Sequence, residues 1–225
     1  MMAVDTNSDD LSGYGDRVAR HIPGLRDMHH MAGLLLAERV PADGRVLVLG
    51  AGGGLELRAF VDMQQDWRFD GVDPAADMID QARLVLGDQV GRVTFHEGYI
   101  QHAPDGPFDG AACLLTLHFL DRKERLRTLR DVHRRLRPGA PFVVAHHSFP
   151  QSHQQRDLWL RRNADLLISR GADPAKAEKG IQVMKERLPV LSPEEDVAVL
   201  REAGFDDVQL FYAGFTFKGW VCYRD

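Results

Sequence analysis

Apolar positions follow two rhythms along the chain. Residues 46–49, 69–72, 92–96, 108–114 and 141–145 are short, mostly apolar runs of strand length, the pattern of strands buried on both faces. Between them the spacing turns helical: 16–22 and 26–40, split by Ile22-Pro23-Gly24, then 55–65, a segment opening at Pro74, and 121–137, stopped by Pro138 and Gly139. Residues 152–187 read as helix and interrupt the alternation, which predicts a cap. A last helix opens with Ser192 as N-cap and Pro193 at the first helical position, and strand-like runs at 208–212 and 217–223 suggest an antiparallel finish. The expectation is an α/β protein: a mostly parallel sheet with helices on both faces and a helical cap.

The stretch VLVLGAGGGLELRAF, residues 46–60, places glycines between a buried strand and a helix. Such a turn lets backbone approach a polar ligand, with amides at the helix N-terminus to hold it. A dinucleotide fingerprint, G-x-G-x-x-G, would need its third glycine at position 55, where Leu55 stands. The G-x-G-x-G of Gly50, Gly52 and Gly54 opens a wider loop, suited to a ligand without a pyrophosphate. Asp73 ends the second strand, where a carboxylate can accept both hydroxyls of a ribose; a role as cap of the helix that follows is the lesser alternative and can coexist with it.

Composition narrows the setting. The chain has 225 residues, 44% hydrophobic and 27% charged, which suits one core with elaborations. No apolar run is long enough to span a bilayer, and the N-terminus is acidic and polar where a signal peptide would be basic and then apolar, so the default compartment is the cytoplasm. The net charge of −5 and the helical spacing of Leu126, Leu129, Val132 and Leu136 make the basic stretch 121–137 a solvated helix face rather than a nucleic-acid surface. Cys113 and Cys222 lie in apolar runs and read as buried thiols. Asp27 and His30 could converge on a helix, but no third ligand is evident, so no metal is expected.

VLVLGAGGG, FDGVDPAADMIDQAR, VTFHEGYI, FDGAACLLTLHFL and LRDVHRRLRPGAPFVVAHHSF resemble, in order and spacing, the class I S-adenosylmethionine (SAM) dependent methyltransferases over residues 40–150. The resemblance implies a Rossmann-like seven-stranded sheet with its last strand antiparallel. It also implies SAM across the carboxyl ends of the first strands and methyl transfer to a small-molecule O, N or C nucleophile, with S-adenosyl-L-homocysteine as product. By position, Gly50, Ala51, Gly52 and Gly54 would line the methionine side, Asp73 and Pro74 the ribose, Met78, Tyr99 and Ile100 the adenine, and Leu115 and Thr116 the sulfonium. Two positions depart from the family pattern: Val48 replaces an acidic residue, and Tyr99 an aspartate. His118 and His147 are the candidate bases, with Tyr14, Arg17 and His146 toward the acceptor. One domain is expected, as an N-terminal helical cap (1–40), SAM-binding core (41–148), cap insertion (149–190) and C-terminal helix and strands (191–225). Small molecules are the expected partners, without nucleic acid or membrane; a homodimer stays open.

YGDRVARHIPGLRDMHHMAGLLLAER and LPVLSPEEDVAVLREAGFDDVQLFYAGFTFKGWV extend the similarity to a branch containing the carboxy-SAM synthase of tRNA wobble-uridine modification. Leu25 and Leu114 stand where that synthase has a tyrosine and an asparagine. Its carboxylate-pairing arginine has no secure counterpart, Arg187 being the nearest. Ordinary methyl transfer is therefore the expectation, with carboxy-SAM synthesis and SAM binding without turnover as alternatives.

Overall fold

The computed structural model describes residues 11–225, and for residues 11, 12 and 14 the backbone only. Helices α1 (Leu11–His21) and α2 (Leu25–Ala37) lead into β1 (Arg45–Leu49), α3 (Leu55–Met63), β2 (Arg68–Asp73), α4 (Ala76–Leu86), β3 (Val93–Glu97), β4 (Gly110–Leu114), α5 (Arg122–His133) and β5 (Pro141–His147). Then come α6 (His153–Ser169), α7 (Pro174–Arg187), α8 (Pro193–Glu202), β6 (Phe205–Gly214) and β7 (Phe217–Arg224). The strands form one seven-stranded sheet in the order β3-β2-β1-β4-β5-β7-β6. β1 to β5 run parallel, and β7 lies antiparallel to both β5 and β6.

The apolar runs are strands because both faces of the sheet are covered. Val46 and Val48 face the side packed by Met28, Leu36 and Phe60. Leu47 and Leu49, one residue out of phase, face the side packed by Leu129, Val132 and Leu200. A third apolar cluster, with Phe149, Leu160, Ala164, Ala177 and Ile181, joins α6 to α7. The start of α8 is a capping box: Ser192 Oγ accepts from the Glu195 amide, and Glu195 Oε2 accepts from the Ser192 amide. Cys113 and Cys222 are buried free thiols.

Two sequence expectations are corrected. Pro74 does not open α4, which starts at Ala76, because Asp73 Oδ1 accepts the Ala75 amide and holds that turn outside the helix. The basic stretch is not wholly solvated either: Arg125 and Arg135 are each only 1% exposed. Arg125 pairs with Asp196 of α8 and donates to the carbonyls of Leu120 and Pro189, so it fastens α5 to the C-terminal helix.

Candidate active site

Between β1 and β4 the strand order reverses, and there the chain leaves the sheet in opposite directions, opening a crevice at the carboxyl ends. A cavity of about 380 Å3 lies at this point, roofed by α1 and α2 through Val18, His21, Leu25 and His29. Its walls come from the glycine turn, from Glu56 of α3, from Asp73 and Met78, and from the ends of β4 and β5.

The glycine turn approaches its neighbours so closely that side chains do not fit. A Cβ on Gly52 would stand 2.6 Å from Asp73 Oδ2, and one on Gly54 would stand 2.8 Å from the Ala82 backbone at a φ of +70°. The turn's amides, however, are engaged inside the protein: Gly50 and Ala51 donate to Val72 O, Gly52 to Asp73 Oδ2 at 2.9 Å, Gly53 to Met78 O and Gly54 to Ala51 O. The turn supplies room and backbone surface, since its donors are used to bind it to β2 and α4.

Asp73 accepts the Gly52 and Ala75 amides, one on each oxygen, which fixes its carboxylate at the cavity wall with lone pairs to spare. Burial raises its pKa, opposed by those two amide bonds. Glu56, in the first turn of α3, is 6% exposed, and burial, with Asp73 adding repulsion, pushes it up to about 8.

On the opposite wall β4 is followed by Leu115, a non-glycine residue at a φ of +61°, whose amide donates to Ala145 O. That left-handed residue turns the chain so that Thr116, His118 and Phe119 reach the cavity. His118 and His147 meet with ring centroids 4.9 Å apart, and Phe217 stacks on His147 at 3.9 Å. Burial holds His118 well below its usual pKa and His147 at about 3, so both rings are neutral at physiological pH.

Hydrogen bonds set their tautomers. The Thr216 hydroxyl donates to Asn163 Oδ1 at 3.2 Å, so Thr216 Oγ1 accepts from His147 Nδ1–H at 3.0 Å. That leaves His147 Nε2 as a bare acceptor. The His147 amide donates to His118 Nδ1 at 3.4 Å, which puts the His118 proton on Nε2. The pair thus offers one acceptor and one donor.

Of the residues singled out from sequence, Gly50, Gly52, Asp73, Met78, Leu115, Thr116, His118 and His147 are brought together on the cavity. Ala51 and Gly54 lie behind the wall, Gly54 packed on Ala82. Pro74 and Ile100 are off it, Ile100 in the core beneath, and Tyr99 is 61% exposed outside it. His146, 1% exposed, points into the core, 3.2 Å from Asp196. Arg17 is exposed and off the wall, and its neighbour Asp16 pairs with Arg26 instead. The side chain of Tyr14 lies outside the described residues. Sequence reasoning missed Glu56, His21, His29 and Phe217. Glu56 did leave a signal, since it stands four residues before buried Phe60 on the stripe that α3 buries.

Residues 46–139 match the family model of a methyltransferase domain. The chain is 23% identical over 216 residues to the carboxy-S-adenosyl-L-methionine synthase of Chromohalobacter salexigens, covering 94% of this chain and 80% of that protein. It is 24% identical over 220 residues to the synthase of that name from Klebsiella pneumoniae, covering 94% and 87%. An O-methyltransferase family protein from Burkholderia thailandensis superposes with a TM-score of 0.67 at 17% identity, over 93% of this chain. Human N-acetylserotonin methyltransferase in complex with SAM does so with a TM-score of 0.60 at 14% identity, over 97%. This chain spans 57% and 60% of the lengths of those two solved chains. The sheet order and the cavity at its switch point give the chain a fold similar to that of the class I SAM-dependent methyltransferases, and residues 46–139 match a methyltransferase domain.

Proposed function

We propose that the chain transfers the methyl group of SAM to an oxygen, nitrogen or carbon nucleophile of a small molecule, in the cytoplasm, releasing S-adenosyl-L-homocysteine. The observation that carries this reading is the charge of the cavity wall. Among the described residues its titratable groups are the carboxyls of Glu56 and Asp73 and the imidazoles of His21, His29, His118 and His147, with no arginine or lysine. A donor bearing an extra carboxylate beside its sulfonium needs a cation there, because an unpaired buried charge costs several kcal/mol. Arg187, at the end of α7, is exposed and off that wall. A plain methyl donor needs no such cation.

The residues present fit SAM. Asp73 is proposed to accept the ribose hydroxyls on its remaining lone pairs, Gly50 and Gly52 to leave space for the methionine part, and Met78 to flank the adenine. When bound, SAM supplies a cationic sulfonium methyl donor whose charge is lost on transfer. His147 Nε2 then takes the proton of an acidic acceptor group, and the buried site gains no net charge by it. His118 Nε2–H holds the acceptor in place, and Phe119, 55% exposed, borders the mouth through which it enters. The arrangement proposed is one domain, with α1 and α2 as roof and α6 and α7 as cap.

Carboxy-SAM synthesis is the second reading, favoured by the similarity to synthases over 94% of the chain. Mass spectrometry of the ligand retained on purification separates the readings: SAM or S-adenosyl-L-homocysteine supports methyl transfer, whereas carboxy-SAM replaces it. Absence of SAM and S-adenosyl-L-homocysteine binding by calorimetry sinks both. SAM binding without transfer to any of a broad panel of small nucleophiles favours a binding protein.

A further inference from the structure

Glu56 is a buried carboxyl that no other described side chain or backbone group of the protein uses. It accepts its own backbone amide, and among the described residues no further hydrogen bond or ion pair reaches it. Among the described residues the groups around it offer no cation: Asp73 from β2 repels it, the Cys113 thiol of β4 feels its charge, and the cavity's other titratable walls are His21 of α1, His29 of α2, and His118 and His147. Burial alone pulls His29 to about 4, so it too is neutral. β1 contributes only apolar side chains here, with Val48 fully buried. A carboxyl placed without a cation on a ligand cavity is a receptor for a ligand's cation.

The geometry points to Glu56 as the acceptor of the α-ammonium group of bound SAM, an inference that rests on the SAM reading above. Asp73 is less suited, because both its oxygens already accept backbone amides. The ammonium fits better than the sulfonium, because it brings three N–H donors and a sulfonium none. Glu56 enters the complex as a carboxylate, its proton passing to the buffer.

Calorimetry of SAM binding at pH 6.5, in buffers of different ionisation enthalpy, tests this. At that pH Glu56 of the free protein keeps its proton, and an α-amino group, with a pKa of about 7.7–8.0, is charged. Wild type is expected to release close to one proton per SAM bound. Glu56→Gln, isosteric with the protonated acid, is expected to release none and to bind SAM at least tenfold more weakly. The compound 5′-methylthioadenosine, which lacks the amino-acid end, should bind both proteins within twofold. Wild-type binding without proton release overturns the inference and leaves the SAM reading standing; so does an equal loss of affinity for 5′-methylthioadenosine. Failure of wild type to bind SAM at all overturns both.

Discussion

Replacing Asp73 by asparagine tests the centre of the site, because this carboxylate holds the glycine turn and is also proposed to hold the ligand. Its two oxygens accept the amides of Gly52 and Ala75, each at 2.9 Å. Asparagine has one carbonyl oxygen and one NH2, so in either orientation one amide faces a donor and loses its partner. An orphaned group of this kind costs about 1–3 kcal/mol when buried. The ribose hydroxyls lose in addition a charge-assisted acceptor, where hydrogen bonds to charged groups contribute about 1.5–3 kcal/mol. Part of the loss falls on folding and part on binding. A melting temperature lower by roughly 2–10 °C is expected for a chain of this size, and an affinity for SAM lower by about 10-fold to 100-fold, since 1.4 kcal/mol is tenfold. The assay is calorimetric titration of SAM beside thermal unfolding of the free protein. SAM affinity within twofold of wild type would refute the reasoning, for it would mean that Asp73 organises the turn without touching the ligand.

The remaining predictions concern protons and the buried ion pair. Thr216→Val removes the acceptor for His147 Nδ1–H; long-range 15N spectra of the imidazoles should show the Nδ1–H tautomer of His147 in wild type and its loss or mixing in the variant, and an Nε2–H tautomer for wild-type His147 contradicts the assignment. Asp196→Asn leaves Arg125, 1% exposed, without its counter-charge; breaking such a pair is expected to cost about 3–5 kcal/mol in chemical denaturation, and a loss under 1 kcal/mol would count against a structural role for α5's buried arginine. Glu56 predicts a pH dependence of opposite sign to the usual carboxylate: burial pushes its folded pKa up to about 8 from an ordinary 4.5. Below pH 4.5 it is protonated folded and unfolded alike; between 4.5 and 8 only the folded state keeps the proton, so stability of the free protein falls as pH rises, by a few kcal/mol in all. Glu56→Gln should remove this slope, so the stability difference between variant and wild type grows from pH 5 to pH 8; a constant difference disproves it. His29 and His147, at about 4 and 3, act in the other direction, their contribution being lost as pH falls below 6.5, and cancel in that comparison.

What the sequence determined by itself was local and periodic. Strand runs such as Val46 to Leu49, the Ser192 and Pro193 helix start and the absent glycine at position 55 each follow from a few neighbouring residues, whose backbone preferences and burial do not wait for distant partners. Those patterns, ordered along the chain, were enough for the sheet and for the crevice beside the glycine turn. The tertiary structure alone decided which way side chains face and what they meet. It brought His147 of β5 against Thr216 before β7 and Asn163 of α6, and so settled the tautomer, which three distant segments must agree on. It sent His146, one residue away, to the opposite face and toward Asp196, because successive residues of a strand point to opposite sides. It used the turn's amides on β2 and α4, and buried Glu56 at the cavity without a cation, since charge balance in a site is a sum over elements remote in sequence.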